Sequence, residues 1–384
     1  MKIALVHDYI KEYGGAERVL ETLHEIFPDA PVYTLLYSPK YLGPHELRFK
    51  NWDIRASFLQ YFPFSEKLIS LFRIISPYVF SSMDLSSYDV IVVSQTGAYF
   101  PNLVKKGNAK LVCYCHTPPR YLYGYPTARK PSKWLLPFIH ILNHILRMID
   151  FKAAQQVDCF IANSKEVQKR IEKFYRKKSI VIYPPVDVAK YKKPNSKSRK
   201  NNSPYYLCGG RLARAKRIDL AIKACLSLKV NLKIFGKSFA GYGEELKQLV
   251  SSSLSLDSKF NIEFLGEVTD EEKFLLMANA KAYIFPSEFE DFGITPVEAM
   301  GVGCPVIALK SGGVKETVIE GKTGLFFDEP TEESLVSALR KFDQYFCKKI
   351  KRKDCVKHAN RFSKERFKSK IFQIIYQNFC YSRF

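Results

Sequence analysis

The chain has 384 residues, 46% of them hydrophobic, which excludes a chain that is disordered throughout and predicts two domains rather than one. Its formal net charge of +22 favours a polyanionic partner: nucleic acid, an anionic membrane face or a phosphorylated substrate. The alternative is a lysine-rich surface without any such partner.

Cysteine usage and apolar stretches bear on the compartment. The nine cysteines form no C-x-x-C pair, so the sequence predicts neither a zinc knuckle nor a disulfide scaffold. The N-terminal "MKIALVHDY" turns polar too soon for a signal peptide. The most apolar long stretch starts at Trp134 and is interrupted by Pro137, His140, Asn143 and His144, a poor pattern for a membrane span. We expect a cytoplasmic protein, either soluble or peripheral at the inner face of the cell membrane.

The first half of the chain alternates apolar strands with helical patterns. Strands are predicted at "KIALVHDY" from Lys2, "DVIVVSQ" from Asp89, "KLVCYCH" from Lys110 and "CFIANS" from Cys159. The amphipathic helix "GGAERVLETLHEIF" follows the first strand at once. Such alternation is typical of a parallel, doubly wound sheet.

The second half repeats this organisation after a polar, basic stretch at 191–204, which is predicted to be a linker. Strands are predicted at "YYLCGG", "NLKIFG", "NIEFLG", "AYIFPS", "CPVIAL" and "GLFF", with helices between them and a basic helical tail from Glu332. The predicted fold class is α/β, with two Rossmann-like parallel-sheet domains, 1–190 and 205–360, facing a cleft. Ligands of such domains bind at the carboxyl ends of the strands.

Two motifs of the first half are candidate binding sites. Gly14 and Gly15 lie between a strand and a helix N-terminus, where backbone N–H groups and the helix dipole favour an anion, although a plain tight turn explains them equally well. His116 ends a strand directly before Thr117-Pro118-Pro119. We expect it to point into the ligand site, the alternative being a histidine satisfied within the core.

The second half holds a candidate cation pair and a candidate acid pair. Arg211 and Lys216, in "GGRLARAKRID", suit a diphosphate, with Arg214 and Arg217 as solvated neighbours. In "EFEDFGITPVEAM", Glu290 lies on a loop and Glu298 is predicted in the first turn of a helix. The helix dipole alone would explain an acid at Glu298, whereas Glu290 has no such structural reason.

Several motifs are absent. There is no Walker A pattern and no Asp-x-Asp, so we expect no metal site, and positive groups must neutralise a phosphate instead. No RNP1 or KH motif is present, so nucleic acid is not the expected partner.

Taken together, the motifs resemble the family 4 retaining glycosyltransferases of the GT-B fold. The family's order is kept in "GGAERV", "YCHTP", "FIANSKEVQKRI", "VIYPPVD", "GGRLARAK", "FLGEV", "PSEFEDFGITPVEAMGVGCPVIA" and "GGVKETVIEGKTGLFF". The resemblance covers nearly the whole chain and includes the family's E-x7-E spacing. It also implies that a last helix, within 361–384, crosses back to the N-terminal domain.

The resemblance implies a role for each candidate residue. Glu290, a catalytic candidate with His116, is similar to the acid that faces the donor sugar, and Glu298 to the acid that binds the nucleotide ribose. By the same likeness, Arg211 and Lys216 lie on the diphosphate. The backbone of Phe292, Gly293 and Ile294 contacts sugar and phosphate, Val268 the base, and Gly14 with Gly15 the phosphates on closure. Asp291 and Arg217 depart from the family pattern, which commonly has glycine at both positions.

The N-terminal half resembles a mannosyltransferase-like subgroup, which implies transfer of a hexose, mannose, from GDP-mannose in surface polysaccharide assembly. A UDP-sugar donor, a soluble acceptor and a catalytically inactive sugar-nucleotide-binding protein remain alternatives. The donor is a co-substrate, and no cofactor is expected. A glycan or lipid-diphosphate-linked acceptor would suit an anionic membrane surface, because segment 59–80 mixes aromatics with sparse cations and tail 348–370 is basic. Packing and a solvated helix face explain these two segments equally well.

Overall fold

The computed structural model describes residues 1–125, 134, 136–187, 203–253 and 260–380. They form two compact units, one made of Met1–Pro185 with the chain from Lys364 onward and the other of Val186–Ser363. The last helix therefore belongs to the same unit as the N-terminal sheet. Residues 191–202 of the predicted linker lie outside the described residues.

The first unit is built on a parallel sheet with the strand order β3-β2-β1-β4-β5-β6-β7. The sequence predicted β1, β4, β5 and β6 and missed the other three, which span only three residues each and carry too short an apolar pattern. Within the described residues the strands are β1 (Ile3–His7), β2 (Val32–Thr34), β3 (Ile54–Ala56), β4 (Val90–Gln95), β5 (Lys110–Cys115), β6 (Cys159–Ala162) and β7 (Ser179–Val181).

Helices cover both faces of this sheet. Alternate strand residues belong to two separate apolar clusters, as the pleat requires: Ala4 and Val6 of β1 join one cluster and Leu5 joins the other. Helices α3, α4 and α5 pack into the first cluster, and α1 and the last helix into the second. The described helices are α1 (Gly15–Ile26), α2 (Ser65–Leu68), α3 (Phe72–Ser82), α4 (Leu136–Gln155) and α5 (Lys165–Tyr175), with Lys364–Cys380 at the C-terminus.

The second unit contains a six-stranded parallel sheet with the order β10-β9-β8-β11-β12-β13 over the described residues. All six strands were predicted: β8 (Tyr205–Gly209), β9 (Asn231–Phe235), β10 (Ile262–Gly266), β11 (Tyr283–Phe285), β12 (Val306–Leu309) and β13 (Gly324–Phe327). Its helices are α6 (Ile218–Leu228), α7 (Tyr242–Ser251), α8 (Asp270–Asn279), α9 (Ile294–Gly301), α10 (Val314–Thr317), α11 (Glu332–Lys341), α12 (Cys347–Lys349) and α13 (Arg352–Ala359). The helix Lys364–Cys380 is therefore α14.

The strand order reverses once in each sheet. In the first unit the reversal lies between β1 and β4, and in the second between β8 and β11. The chain leaves neighbouring strands in opposite directions at such a point, which opens a crevice at their carboxyl ends. Each unit therefore has one place where the fold itself favours a ligand.

Side-chain caps fix the starts of several helices. Ser164 Oγ accepts a hydrogen bond from Val167 N at α5, and Thr269 and Glu272 form a reciprocal capping box at α8.

No helix among the described residues is long and apolar enough to cross a bilayer.

A buried carboxyl group on α4 predicts a pH-dependent stability. Burial raises the pKa of Asp150 to about 7, and Tyr123 donates a hydrogen bond of 2.9 Å to its Oδ2. The unfolded chain ionises this group near its ordinary pKa of 3.8, so the wild type loses stability as the pH rises from about 4 to about 7. The Asp150→Asn variant has no ionisable group at this position, so it does not lose stability in this way. Its free energy of unfolding, measured in urea, should rise relative to the wild type across that range, by about 1.4 kcal/mol per pH unit at most.

Asp158→Asn is the matched control. Partial burial would raise the pKa of Asp158, but its bonds to Lys106 and Leu111 lower it overall. Its stabilising effect is therefore present above the ordinary pKa and is lost as the pH falls, so this variant should show the opposite trend. Equal trends in the two variants would contradict the assignment.

Candidate active site

His116 lies directly after β5, at the carboxyl end of the first sheet. Its Nε2 is 3.0 Å from Ser94 Oγ on β4, and its ring meets that of Tyr114 edge to face, with centroids 5.1 Å apart. Burial, with a smaller contribution from the neighbouring His7, lowers the pKa of His116 to about 3. The imidazole is therefore neutral near pH 7 and carries one donor and one acceptor.

Residues at the end of β1 and the start of α1 lie beside Ser94 and His116. His7 is buried, and its Nδ1 lies 3.0 Å from the carbonyl oxygen of Ser94, so Nδ1 carries the hydrogen. His7 Nε2 lies 3.7 Å from Glu17 Oε1, and Glu17 Oε2 accepts a 2.8 Å bond from Gly14 N. Gly14 and Gly15 thus lie at a helix start, as predicted, where the Gly14 N–H bonds to Glu17.

A buried aspartate holds the neighbouring loop. Asp8 Oδ2 accepts bonds from the backbone N–H groups of Thr96, Ala98 and Tyr99 and from the Thr96 hydroxyl. Burial raises the pKa of Asp8 in spite of these donors. Gly97 completes this loop at a φ of +81°, where an added Cβ would lie 2.5 Å from Thr117 O. The loop after β4 is therefore held closely against the loop that follows His116.

In the second unit, an ion pair joins the two loops at the strand reversal. Lys216, in a turn after β8, donates to Glu290 Oε2 on the loop after β11. Ser287 Oγ donates to the same oxygen at 2.9 Å. The structure therefore brings together Lys216 and Glu290, a candidate cation and a candidate acid that are 74 positions apart in the chain.

A second set of bonds runs parallel to that ion pair. Arg217 donates to Glu288 Oε1 and to Asp219 Oδ1, and Glu288 N donates to Ala215 O at 3.1 Å. The prediction of a solvated Arg217 was wrong, and Arg214 also forms an ion pair, with Glu245. Arg217 adopts a left-handed φ of +49°, a conformation that glycine adopts without strain. This conformation agrees with the glycine that the resemblance leads us to expect at this position, and the ion pairs offset the strain of arginine.

Two glycines that follow β12 lie against the loop that carries Glu290. An added Cβ on Gly312 would lie 2.2 Å from Glu290 O, and one on Gly313 would lie 2.2 Å from Asp291 O. Gly313 N also donates to Glu290 O at 2.8 Å. The backbone of the loop that carries Glu290 therefore lies too close for any side chain at these two positions.

The second acid lies deeper in the unit. Gly293, at a φ of +89°, precedes α9, which begins at Ile294, so Glu298 is in the second turn of the helix. The prediction of a first-turn position was wrong, and the helix dipole does not account for this acid. Glu298 is buried, and its Oε1 accepts a 3.0 Å bond from the buried Lys273, which also bonds Asp270 Oδ1 at 3.0 Å.

The remaining candidates lie at strand ends of the same sheet. Arg211 is exposed over the ring of Phe239, 5.6 Å from its centroid, and Val268 is half-buried between β10 and α8. Gly236 directly follows β9 at a φ of +127°, where an added Cβ would lie 1.7 Å from Gly210 O. Phe292 is buried, and its ring meets Phe362 edge to face. Among the described residues, no group of histidine, cysteine, aspartate or glutamate has the arrangement of a metal site.

Two family models match the chain in succession. The model described as "Glycosyltransferase Family 4" matches residues 13–190, and that described as "Glycosyl transferases group 1" matches residues 190–361. The chain belongs to glycosyltransferase family 4. The resemblance found in the motifs is thereby confirmed.

Several relatives of this chain are named as mannosyltransferases. The chain is 29% identical over 286 residues to the alpha-1,3/1,6-mannosyltransferase ALG2 of Dictyostelium discoideum, a match that covers 66% of each protein. The chain thus spans just under two thirds of that relative's length. It is 28% identical over 254 residues to the O-antigen chain mannosyltransferase RfbU of Salmonella typhimurium, covering 63% of this chain and 67% of that protein.

Solved structures confirm the fold class. HepE of Anabaena, crystallised with UDP and glucose, shares 22% identity at a TM-score of 0.71, and the match covers 97% of this chain and 98% of that chain. At this identity the likeness concerns the fold alone. The family 4 chain is thus an α/β protein of the GT-B type, with two parallel-sheet units, as predicted.

Sequence reasoning missed several residues of both groups. Lys273 and Asp270 lie in "TDEEK", directly after Val268. The local signal in this stretch is a Thr-x-x-Glu helix cap, which does not indicate an ion pair. Ser94 lies near the end of β4 and His116 directly after β5, and these positions at the same edge of the sheet were the available signal. The glycine pair at 312 and 313 lies in a family motif, but its close approach to Glu290 depends on tertiary structure.

Removing Lys273 should destabilise the protein strongly. Lys273→Met leaves Glu298 buried without this partner, which typically costs about 3–5 kcal/mol. Glu298→Gln in the same background removes the buried charge and should restore most of the loss. Urea midpoints of the single and double variants measure both effects.

Lys310→Met is the surface control, because its pair with Asp328 is exposed and 3.6 Å long. Loss of such a pair should change stability by less than about 1 kcal/mol. A Lys273→Met variant as stable as this control would contradict a structural role for the buried pair.

Proposed function

We propose that this protein is a retaining glycosyltransferase that moves mannose from GDP-mannose to a glycan acceptor in surface polysaccharide assembly. One observation carries the proposal: Lys216 joins Glu290 at the strand reversal of the second unit, while Lys273 holds Glu298 on α9, the helix that follows the Glu290 loop. Cations and acids at a strand reversal suit a ligand with a diphosphate, a sugar and a ribose. The family match and the names of the relatives support the same class of reaction.

The cations would stabilise the leaving group. Negative charge grows on the diphosphate as the sugar departs, so Lys216 and Arg211 should bind the transition state more tightly than the substrate. The departing diphosphate would help to deprotonate the acceptor hydroxyl on the same face of the sugar, which retains the anomeric configuration. Glu290, held by Lys216 and Ser287, would face the sugar.

His116 would contribute a neutral hydrogen-bonding group. Its lowered pKa keeps the ring uncharged, so it can orient a sugar hydroxyl without attracting the diphosphate. Ser94 would fix the ring through its bond to Nε2, which leaves Nδ1 for the ligand.

The proposed preference for guanine over uracil is argued from Asp270. Val268 is the expected base contact, and Asp270 lies two residues further on, joined to Glu298 through Lys273. Guanine presents two adjacent donors, N1–H and the N2 amino group, which suit a carboxylate. Uracil offers a single N–H, so a carboxylate at this position favours GDP over UDP.

The acceptor is proposed to be a glycan, carried on a lipid diphosphate. The name of RfbU refers to an O-antigen chain, and the name of ALG2 refers to alpha-1,3/1,6-mannosyl transfer. Both names support a growing glycan as the acceptor. A UDP-sugar donor is the alternative.

Nucleotide binding tests the proposal directly. GDP, added without metal, should raise the thermal unfolding temperature, because a ligand at 100 times its Kd stabilises the folded state by about 2.7 kcal/mol. UDP and ADP should give smaller shifts. Glu298→Ala should abolish the GDP shift, and Asp270→Asn should reduce it selectively.

The other outcomes separate the alternatives. A shift with UDP alone would retain a glycosyltransferase and reject GDP-mannose as the donor. No shift with any nucleotide would favour a protein that has lost donor binding. Transfer of radiolabelled mannose from GDP-mannose to a glycan acceptor then tests catalysis itself.

Lys216→Ala should lower kcat by about 10²–10³-fold with a smaller change in KM, as removal of one transition-state donor does. Arg214→Ala is the control, because this exposed arginine belongs to the same turn but pairs with Glu245. Rates are measured in EDTA. Wild-type turnover that requires added Mg²⁺ would contradict phosphate neutralisation by these cations alone.

A further inference from the structure

The exposed apolar side chains of the first unit are concentrated in two segments. More than half of the large apolar side chains that are exposed among the described residues lie in 58–78 or in 134–151. In the first segment, Tyr61, Phe64 and Tyr78 are more than two thirds exposed. Single exposed apolar residues are ordinary, but such a concentration marks an interaction surface.

Helix α4 carries a continuous apolar stripe on the outside. Phe138, Ile141, Ile145 and Met148 are separated by three, four and three residues, which places them on one side of the helix, and Trp134 lies two residues before the helix begins. All five are exposed, Trp134 by 89% and Phe138 by 72%. The opposite side of the helix is also apolar and packs inward. Core packing therefore accounts for one apolar side of α4 and not for the other.

Both segments lie on the same face of the first sheet. Helices α3, α4 and α5 all pack into one apolar cluster, whereas α1 and α14 pack on the opposite side of the sheet. The short segment Pro101–Leu103 contacts both α3 and α4, and Arg73 of α3 lies over the ring of Tyr121, 4.3 Å away. We call the exposed side of α3 and α4, with Trp134, the α3–α4 face.

Charges around this face are positive. The acid of α4, Asp150, is buried, so the exposed side of the helix presents Arg147 and Lys152 without a carboxylate. Helix α5, packed beside α4, exposes Lys165, Lys169 and Lys173, with Glu172 as its exposed acid. An apolar stripe rimmed by cations is the composition of a helix that lies in the interface of an anionic bilayer.

We propose that the α3–α4 face docks on an anionic phospholipid bilayer. The apolar stripe enters the headgroup region and the lysines of α5 lie over the lipid phosphates. The proposal rests on the proposed function in one respect, because a lipid-linked acceptor would be presented at such a surface. It adds the surface through which the protein would reach that acceptor.

Flotation of the full-length protein with vesicles tests the proposal. The protein should float with vesicles of phosphatidylglycerol and phosphatidylcholine, less so as NaCl increases, and weakly with phosphatidylcholine alone. Phe138→Ser with Ile141→Ser should lower the bound fraction by about tenfold, since each exposed side chain would leave the lipid interface. Lys169→Glu with Lys173→Glu should remove the preference for anionic lipid.

Tyr345→Ser with Phe372→Ser is the matched control, because these residues are similarly exposed but lie outside the α3–α4 face. It should bind as the wild type does. Failure of the wild type to float, wild-type binding by Phe138→Ser with Ile141→Ser, or an equal loss in the control would overturn the proposal. A change from dimer to monomer in the Phe138→Ser and Ile141→Ser variant, seen by light scattering, would assign the face to a second copy of the chain instead.

The thermal shift with GDP is measured on the same variants. It should be unchanged, because the substitutions lie outside the nucleotide site. Loss of vesicle binding with an intact GDP shift separates the membrane proposal from the enzymatic one, and a missing GDP shift with intact flotation rejects the enzymatic one alone.

Discussion

The site in the second unit depends on holding the loop after β11 against the turn after β8. Lys216 bonds Glu290, Arg217 bonds Glu288, and the backbone of Glu288 bonds Ala215. These contacts join the segments that follow the neighbouring strands β8 and β11, beyond the end of the ladder that pairs the two strands. The left-handed backbone at Arg217 is a local cost of this arrangement, which the ion pairs offset.

The two acids of the E-x7-E pattern differ in environment. Glu290 is partly exposed on a loop whose backbone lies against Gly312 and Gly313, so its position is set by close packing as well as by charge. Glu298 is buried on a helix, where Lys273 pairs with its carboxylate. The loop acid is therefore the more accessible of the two to a ligand. In the proposed function, this accessible acid would contact the sugar and the buried acid the ribose.

The first unit organises its candidate residues in a similar way. His116, Ser94 and His7 all lie at strand ends around the reversal between β1 and β4, and Glu17 joins them from α1. Burial keeps His116 neutral. On the α3–α4 face of the same unit, exposed aromatic and aliphatic side chains meet a cationic rim. The polar groups at strand ends and the apolar surface on the covering helices are therefore separate features of this unit.

The sequence by itself determined the α/β class, the six strands of the second sheet and the longer strands of the first, because apolar runs of this length carry their own pattern. It also placed Glu290, Lys216 and His116 at strand ends, since turn residues and prolines mark where strands stop. Which charges meet was decided only by tertiary structure. Lys216 lies 74 positions from Glu290, and Lys273 lies 25 positions from Glu298. The strand order brings the loops of the first pair to one edge, and the packing of α8 against α9 joins the second, and no local pattern of residues encodes either arrangement.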